Sequence, residues 1–308
     1  MVTKLHSFLQ LIRYQNLLLI IITQLLIKYA LFESFGIEIT LSGFGFFLLC
    51  LSTICIAAAG NIINDIYDVE ADRINKPEKQ VVGKKISEKT AFTSYIILSI
   101  TGVGIGFYLA NLIGRPGFSA LFIIISALLY LYATHLKYIL IAGNLLVSGL
   151  VAMTVIIMGL FELLPAITKV NQQTQSIIFS ILLDYAFYAF LINWLREMVK
   201  DQQDIKGDYN MGRNTLPIAI GKERANKVIF AIGLIPVAAI IYYMYNYLFN
   251  NLAAVLYALI LILGPLLYFL STILTAKTPG HYRRLSLILK IIMITGLASI
   301  GLYPFILL

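Results

Sequence analysis

The sequence predicts an all-α, polytopic membrane protein. Hydrophobic residues make up 60% of its 308 residues and charged residues only 12%, whereas a soluble domain carries about twice that share of charge. The mean hydropathy is +0.88. Because each membrane-spanning helix takes about 20 residues, such helices occupy almost the whole chain. We therefore expect one transmembrane domain over residues 1–308, without a second, soluble domain.

Nine apolar runs are long enough to cross a membrane as helices. In chain order they are residues 11–32, 41–67, 90–110, 117–135, 138–160, 175–198, 226–247, 252–275 and 286–307. The longest polar interruptions are residues 68–89 and 199–225. Lys4 and Arg13 stand before the first apolar stretch, but no small-residue cleavage site follows it. We interpret this stretch as a retained helix rather than a signal peptide.

The basic residues indicate the orientation. If the N-terminus is cytoplasmic, most of the 23 Lys and Arg residues lie in cytoplasmic segments, and only Lys28, Arg115 and Lys169 lie outside. This positive-inside pattern predicts an integral protein of the cell inner membrane with a cytoplasmic N-terminus. The net charge of +8 then belongs to the cytoplasmic face, where it suits anionic lipid head groups and anionic substrates. A nucleic-acid partner is unnecessary to explain it.

Cysteine and histidine carry little signal for a metal or redox centre. Cys50 and Cys55 are five apart in one apolar run, a spacing that suits neither a disulfide nor a metal pair within one helix. We expect both to be packing residues. His6, His135 and His281 are scattered along the chain, which gives a zinc or haem site little support.

Eight of the 15 acidic residues lie in two short segments, residues 61–72 and 196–208, which close the second and sixth apolar runs. Carboxylates are costly near hydrocarbon, so this concentration requires an explanation. Four helices separate the two acidic segments, which places both on the cytoplasmic side. In the first, Asn64, Asp68 and Asp72 are four apart and share one helical face, which Asn61 extends by a turn.

The second acidic segment repeats this arrangement. Asp201, Asp204 and Asp208 follow an i, i+3, i+7 spacing on one helical face, and Glu197 extends it. Oxygen-bearing side chains on one face repel each other unless a cation lies among them. Mg²⁺ is the natural candidate, because it prefers carboxylates together with substrate phosphate oxygens. Calcium is disfavoured, because the sequence contains no twelve-residue loop with the expected oxygen ligands.

Basic residues follow both acidic segments. They are Arg73, Lys76, Lys79, Lys84 and Lys85 after the first, and Lys206 and Arg213 after the second. Acidic residues with nearby Lys and Arg favour a polyanion that is held through metal bridges and direct contacts. The alternative interpretation is a solvated, salt-bridged helix end. Two such segments on one side, each at the end of a membrane helix, disfavour that alternative.

The two acidic segments resemble the aspartate motifs of the UbiA superfamily of intramembrane prenyltransferases. The matching residues read Asn64-Asp65-x-x-Asp68-x-x-x-Asp72 and Lys200-Asp201-x-x-Asp204-x-x-Gly207-Asp208. Lesser matches are Tyr132 to Lys137 with Gly143-Asn144, the Arg196-Glu197 pair, and Thr215-Leu216-Pro217. The order and spacing of the helices are similar across nearly the whole chain. The resemblance implies nine transmembrane helices around a central cavity that opens laterally to lipid, with both motifs at its cytoplasmic end.

Within that superfamily, both motifs look most like the digeranylgeranylglyceryl phosphate synthase branch. Those enzymes attach a second geranylgeranyl chain to geranylgeranylglyceryl phosphate. The sequence departs from the usual pattern after Pro77, where Lys79-Gln80 stands in place of an Arg-Pro pair and Gly83 falls one position early. Lysine keeps the charge but loses the bidentate fork of arginine, so the departure bears on the acceptor more than on diphosphate binding.

The resemblance implies Mg²⁺-dependent transfer of a polyprenyl group, such as geranylgeranyl, from its diphosphate to a lipophilic acceptor, without an obligate protein partner. The predicted ligands of two Mg²⁺ ions are Asn64, Asp65, Asp68, Asp72, Asp201, Asp204 and Asp208. The predicted substrate contacts are Asn61, Arg73, Lys76, Lys79, Lys137, Asn144, Arg196, Lys200 and Arg213. Asp68, Asp72, Asp201 and Asp204 are expected to be catalytic, with Glu197 as a candidate base. Tyr67 and Tyr132 are candidates to stabilise an allylic cation.

Other residues and functions stay open from the sequence. Arg283, Arg284 and Lys277 are on the correct side to contact an acceptor phosphate, or are an ordinary positive-inside loop. Asp184 should lie about 25 Å from Asp201 along a straight helix, too far to bind the metals, and we expect it to have a pairing or structural role. An aromatic prenyltransferase of quinone or related biosynthesis is one alternative function. A transporter of an anionic lipid or metabolite is disfavoured, because transporter charges tend to lie near the midplane.

Overall fold

The structure is a computed structural model that describes residues 2–306, with the side chains of residues 5–305. Within this range, nine helices are long and apolar enough to cross a membrane, which confirms the predicted all-α membrane fold. In chain order the helices are α1 Val2–Leu11, α2 Tyr14–Glu33, α3 Gly43–Tyr67, α4 Val69–Asn75, α5 Glu88–Leu112, α6 Pro116–Thr134, α7 Ala142–Ala166, α8 Gln172–Asn210, α9 Leu216–Ile220, α10 Lys222–Leu248, α11 Leu252–Ile273 and α12 Pro279–Phe305. The three remaining helices, α1, α4 and α9, are too short to span a membrane.

Two spanning helices extend beyond their predicted bounds. Helix α8 continues to Asn210, so the second acidic segment lies on the same uninterrupted helix as the apolar run before it. Helix α12 begins seven residues earlier than predicted, because Thr278 Oγ1 accepts a hydrogen bond from the backbone N–H of His281 and Pro279 occupies the first turn. Lys290 lies inside α12, within both the predicted and the observed bounds of this helix. Residue 307, the predicted end of this helix, lies outside the described residues.

The first acidic segment is broken at Asp68. Helix α3 ends at Tyr67, Asp68 takes φ −102° and ψ 2°, and α4 begins at Val69. The backbone thus leaves the α-helical region at the central residue. Contacts at i, i+4 persist across it, since Asn64 donates to the carboxylate of Asp68 and the backbone N–H of Asp72 donates to the carbonyl of Asp68. The break coincides with the point where the carboxylate of Asp68 meets two cationic side chains from other parts of the fold.

Helix α8 joins two apolar clusters into one bundle. Toward the end opposite the acidic segments, its Leu182 belongs to a cluster with buried residues of α2, α3, α6 and α7. Toward the other end, its Leu195 belongs to a second cluster with buried residues of α10, α11 and α12. Because α8 packs between α7 and α12 in this way, it is a firm support for the carboxylates at its end.

The end of the bundle opposite the acidic segments contains a buried ion pair. Lys28 Nζ lies 2.8 Å from Glu162 Oε1, and the other carboxylate oxygen accepts a hydrogen bond from the backbone N–H of Leu41 at 2.9 Å. Lys28, which positive-inside counting leaves outside the cytoplasmic segments, is therefore a buried member of this ion pair. Asp184 is exposed and makes no hydrogen bond or ion pair within the described range, so its predicted pairing is wrong. Buried, unpaired cysteines at positions 50 and 55 confirm their packing role.

Candidate active site

Asp68 is the centre of the polar site. One carboxylate oxygen accepts from Lys137 Nζ at 2.7 Å and from the guanidinium of Arg213, and the other accepts from Asn64 Nδ2 at 2.7 Å. Burial would raise the pKa of this carboxyl, but the charges of Lys137 and Arg213 outweigh it, and the pKa lies below its ordinary value. Burial in turn lowers the pKa of the Lys137 ammonium, although Asp68 opposes that effect. Asp68 is therefore ionised and firmly positioned at neutral pH.

Arg213 joins the two acidic segments. Its guanidinium donates to Asp68 and, through Nη1, to Asp208 Oδ1 at 2.9 Å. The turn after α8 allows this contact, because Gly212 takes φ 69°, a conformation that favours glycine, and the chain folds back so that the backbone N–H of Arg213 donates to the carbonyl of Asp208. Arg213, one of the predicted substrate contacts, thus contacts a carboxylate of each acidic segment.

A second link is made by the end of α4. Lys76 Nζ lies 2.5 Å from Asp204 Oδ2. Beside it, Asn75 donates through Nδ2 to the carbonyl of Asp204 at 2.8 Å and accepts from the backbone N–H of Gly207 at 2.9 Å. A Cβ at position 207 would lie 2.3 Å from Asn75 Nδ2, so only glycine allows this close approach. Asn75 was not predicted, because its role depends on a helix more than a hundred residues away in the sequence.

Asp201 faces the start of α7. Its Oδ2 accepts a hydrogen bond from Asn144 Nδ2 at 2.7 Å. This hydrogen bond brings a predicted substrate contact beside a predicted metal ligand. A polar cavity lies between them and the Arg213 turn. Its polar lining includes Tyr132, Lys137, Asn144, Asp201, Asp208 and Arg213. The cavity therefore brings together residues of both motifs and of the lesser matches.

Glu197 lies one turn before Asp201 on α8 and is shared by two cations. Its Oε1 lies 2.6 Å from Lys200 Nζ and 3.5 Å from Arg196 Nη1. The carboxylate is largely buried, with 12% of its side chain exposed. A carboxylate held in this way is positioned and charged. It can accept a proton only if its cations find another partner.

The N-terminal segment engages two of the predicted residues. Arg13 takes φ 53°, an uncommon left-handed conformation that ends α1, and its Nη2 lies 2.6 Å from Asp65 Oδ1. Asn61 Nδ2 donates to the carbonyl of Ile12 at 3.0 Å. The contacts of Asn61 with substrate and of Asp65 with metal stay predictions, and in this structure both residues hold the N-terminal segment against α3. The charged partner of Asp65 in this structure is therefore Arg13.

Asp72 differs from the other acidic residues. It makes no ion pair or side-chain hydrogen bond in the part of the chain that the structure describes. Burial, followed by repulsion from Asp68 and Asp65, raises its pKa to about 6. A carboxyl with this pKa gains a proton in mildly acidic solution, and a cation placed beside it would hold it ionised.

Several predicted cations lie away from the carboxylates. Arg73, Lys79 and Lys206 are exposed and form no ion pair within residues 2–306, because their helical and loop positions point them outward. Lys84 and Lys85 donate to Pro77 O and Gln10 Oε1 and fasten the loop instead. None of these five side chains contacts a carboxylate of the acidic segments within the described residues, in contrast to Lys76, Lys137 and Arg213, and their contacts with substrate stay predictions.

The two candidate aromatic residues flank the site. Tyr132 lines the polar cavity. Tyr67 is 39% exposed, with its ring centre 5.9 Å from Lys137 Nζ, and it makes an edge contact with Tyr130. Both are therefore near the cations, and Tyr132 also lines the cavity beside Asp201 and Asp208.

The donor atoms suit a hard divalent cation. Among the described residues, no three Asp, Glu, His or Cys side chains gather into a ready-made metal cage. Asn64 Oδ1, however, is buried beside Asp68 without a hydrogen-bond partner. Carboxylate and amide oxygens are the ligands that Mg²⁺ prefers, with substrate phosphates completing its shell. The residues therefore fit a metal that binds together with a polyanion, which would give the lysines and arginines new partners.

An apolar helical bundle with a buried, cation-rich polar site at one end defines a class of protein: an integral membrane enzyme that acts on an amphiphile with a polyanionic head group. The chain belongs to the UbiA prenyltransferase family, whose family model matches residues 28–302. It is thus a membrane prenyltransferase, and the resemblance seen in the two motifs is confirmed.

Curated relatives and solved structures agree with this assignment. The chain is 32% identical to a digeranylgeranylglyceryl phosphate synthase of Korarchaeum cryptofilum, over 84% of this chain and 85% of the relative. It is 28% identical to one of Methanosphaera stadtmanae, over 82% of this chain and 87% of the relative. A solved structure described as digeranylgeranylglyceryl phosphate synthase in membranes superposes with a TM-score of 0.65, at 23% identity, covering 97% of this chain and 99% of the other.

A second solved structure shares the fold at lower identity. It is a UbiA homolog from Archaeoglobus fulgidus bound to DMAPP and Mg²⁺, with a TM-score of 0.55 at 16% identity, covering 96% of this chain and 99% of the other. Such a likeness establishes the fold of the chain, and the ligands in that structure belong to the homolog.

Proposed function

We propose that the protein transfers a geranylgeranyl group from its diphosphate to the free hydroxyl of geranylgeranylglyceryl phosphate, in an Mg²⁺-dependent reaction of ether-lipid synthesis. The observation that carries this proposal is the contact of Arg213 with both Asp68 and Asp208. This contact joins the two acidic segments into one compact and highly charged site, which suits the small size and high charge of a diphosphate. The relatives named as digeranylgeranylglyceryl phosphate synthases support the choice of acceptor.

The donor diphosphate would lie between the two acidic segments. Lys76, Lys137 and Arg213 each now contact a carboxylate, and a diphosphate offers them oxygens of higher charge. Two Mg²⁺ ions would be held by Asn64, Asp68 and Asp72 on one side and by Asp201, Asp204 and Asp208 on the other. When bound, the metal supplies charge neutralisation on the leaving diphosphate. The UbiA homolog that binds DMAPP and Mg²⁺ supports this assignment.

The transfer replaces one carbon–oxygen bond with another. The bond between C1 of the prenyl chain and the diphosphate breaks, and its electron pair leaves with the diphosphate. The acceptor hydroxyl oxygen forms the new bond to C1 and loses its proton, for which Glu197 is our candidate acceptor once Lys200 and Arg196 turn to another partner. The cations around Asp68 stabilise the charge that develops on the leaving group. Tyr132 would face the allylic carbon and contribute on the order of 0.5–2 kcal/mol.

The apolar chains of both lipids would lie among the membrane helices. We propose that residues 1–308 act as one transmembrane domain in the cell inner membrane, with the N-terminus and the site on the cytoplasmic side. The concentration of Lys and Arg on that side supports this orientation. Besides Mg²⁺, the reaction would need only the prenyl diphosphate, the acceptor lipid and the membrane, without nucleic acid or an obligate protein partner.

An acceptor panel tests the proposed function. The purified protein in lipid nanodiscs is incubated with Mg²⁺, geranylgeranyl diphosphate and, in turn, geranylgeranylglyceryl phosphate, an aromatic acid and a quinone precursor. Products are identified by mass spectrometry. We expect the prenylated glyceryl phosphate as the main product. Prenylation of an aromatic acceptor alone, or diphosphate release without any prenylated lipid, would contradict the proposal.

A further inference from the structure

Arg13 and Asp65 form an ion pair that has no part in the proposed transfer. Arg13 Nη2 lies 2.6 Å from Asp65 Oδ1, and only 15% of the Asp65 side chain is exposed. Arg13 also takes a left-handed backbone conformation with φ 53°, which is uncommon for a residue other than glycine and persists where surrounding contacts fix it. The ion pair and the backbone that carries it are thus held in one arrangement.

The residues just before this arginine are fixed to α3 as well. Leu11 is fully buried in an apolar cluster with Ile62 of α3 and two valines of the loop after α4. Asn61 Nδ2 donates to the carbonyl of Ile12 at 3.0 Å. An apolar contact, a hydrogen bond and an ion pair therefore attach residues 11–13, which we call the N-terminal support, to the membrane helix.

The N-terminal support holds the last two turns of α3, which carry Asn64 and lead to Asp68. Asn61 and Asp65 are four residues apart, so they lie one above the other on the helix. Asp65 follows Asn64 directly, and its side chain leaves the helix about 100° away from that of Asn64. Asn64 in turn donates to the carboxylate of Asp68 at 2.7 Å. The same two turns therefore present one set of side chains to the N-terminal support and another to the polar site.

The position of the Asp68 carboxylate depends on what holds the end of α3. The backbone leaves the α-helical region at Asp68, and helix ends fray unless other contacts hold them. Ile66, two residues before the break, and Val69, just after it, both pack against the apolar cluster that contains Leu11. The N-terminal support is thus in contact with the chain on both sides of the break, where neighbouring carboxylates repel each other.

We propose that Arg13, acting through Asp65, is a positioning residue that fixes the end of α3 so that Asn64 and Asp68 can hold the metal and the diphosphate. The proposal rests on the proposed function and adds to it a residue outside the two acidic segments. Asp65 then binds Arg13 and not a metal ion. Removal of a partner that orients the ligands of a metal typically lowers affinity or activity by about 10- to 100-fold.

Charge alone predicts the opposite effect of removing Arg13. A cation near the site repels Mg²⁺, so its loss would strengthen the binding of the metal. The loss would also free Asp65 as an additional oxygen ligand, if this carboxylate were one. Weaker binding of Mg²⁺ to a folded Arg13 variant therefore indicates lost positioning.

Binding of Mg²⁺ together with a non-reacting thiolo analogue of geranylgeranyl diphosphate tests the proposal without an acceptor. The apparent Kd for Mg²⁺ is measured by calorimetry in lipid nanodiscs for the wild type, Arg13→Gln, Asp65→Asn and the double variant. We expect about tenfold or more weaker binding in each single variant. The double variant should be no weaker than either, because all three lose the same contact.

Three further variants separate positioning from charge and from direct ligation. Arg13→Lys keeps a cation within reach of Asp65 and should recover most of the affinity. The exchanged pair Arg13→Asp/Asp65→Arg should recover part of it, which an arginine in the place of a metal ligand could not do. Lys89→Gln removes an exposed cation of α5 that forms no ion pair among the described residues, and this matched control should keep the wild-type Kd.

Unchanged or tighter binding of Mg²⁺ to Arg13→Gln would overturn the positioning role. Weaker binding in Asp65→Asn alone would also overturn it, because Asp65 would then be a metal ligand. Thermal unfolding of each variant checks that it is folded. Failure of the wild type to bind the analogue would overturn both this role and the proposed function, whereas wild-type affinity in Arg13→Gln would overturn the role alone.

Discussion

Lys76 Nζ lies 2.5 Å from Asp204 Oδ2, so the chain that follows the first acidic segment is held by the second. Asn75 reinforces this contact through both atoms of its amide. The two acidic segments are thereby fixed at one end by the α4–α8 contact and at the other by Arg213. These contacts at both ends keep the carboxylates close together despite their mutual repulsion. Closely spaced carboxylates of this kind can hold cations that bridge to a bound polyanion.

Arg213→Gln should lower the prenyl-transfer rate by about a hundredfold or more. The substitution removes the one side chain that contacts both acidic segments and a charge that stabilises the leaving diphosphate. Rates are measured by release of diphosphate with saturating Mg²⁺. Arg224→Gln removes an exposed arginine on α10 and should keep the wild-type rate. A normal rate for Arg213→Gln would contradict its assigned role.

Asp68→Ala and Asp204→Ala should each abolish turnover while the protein stays folded. Both carboxylates are bound by cations of the site, and neither belongs to an apolar cluster. Thermal unfolding of the purified variants checks the fold, and product formation checks activity. Asp184→Ala is the matched control, because this exposed carboxylate lies about 25 Å away along α8. Wild-type rates in either site variant would disprove the metal and diphosphate assignment.

Gly207→Ala should destabilise the protein by about 1–3 kcal/mol and weaken activity. The added Cβ would lie 2.3 Å from Asn75 Nδ2 and 2.8 Å from the carbonyl of Ala71, so α4 must move away from α8. Gly149→Ala is a control in the helical interior of α7, where an added Cβ meets no atom within 4 Å. It should be neutral or stabilising, because alanine favours a helix over glycine by about 1 kcal/mol. Equal unfolding temperatures for both variants would contradict the tight contact.

The affinity for Mg²⁺ should fall as the pH is lowered through 6. Burial and the neighbouring carboxylates Asp68 and Asp65 raise the pKa of Asp72 to about 6. Below that pH the metal must displace a proton from Asp72, so we expect up to a tenfold weaker apparent Kd at pH 5 than at pH 7. Without metal the sign is opposite: the raised pKa stabilises the fold at low pH, and this contribution is lost as the pH rises through about 6. Magnesium titrations at several pH values check the first expectation, and an Asp72→Asn variant should lose most of the dependence.

The helices and the chemical groups of the site could be predicted from the sequence, because both follow from local patterns. Apolar runs define the spans, and helical spacing groups Asp68 with Asn64 and Asp201 with Asp208. The contacts between segments could not be predicted in the same way. Asn75 owes its role to Gly207, and Arg13 owes its role to Asp65, in each case through a tertiary contact. Asn and Arg are common in polar loops, so only the fold shows that Asn75 and Arg13 make these contacts.

The same distinction explains the predictions that differ from the structure. Arg73 and Lys79 follow the first acidic segment in the sequence, but Arg73 on α4 and Lys79 in the turn after it are exposed and contact no carboxylate within the described residues.

The central claim is that both acidic segments hold one diphosphate. Its most direct test is calorimetric binding of a non-reacting thiolo analogue of geranylgeranyl diphosphate to the protein, with and without Mg²⁺, and to Asp68→Asn and Asp204→Asn. We predict one analogue per chain, binding that depends on Mg²⁺, and a loss of at least about tenfold in affinity for each variant. Tight binding without Mg²⁺, or full affinity in either variant, would contradict the claim.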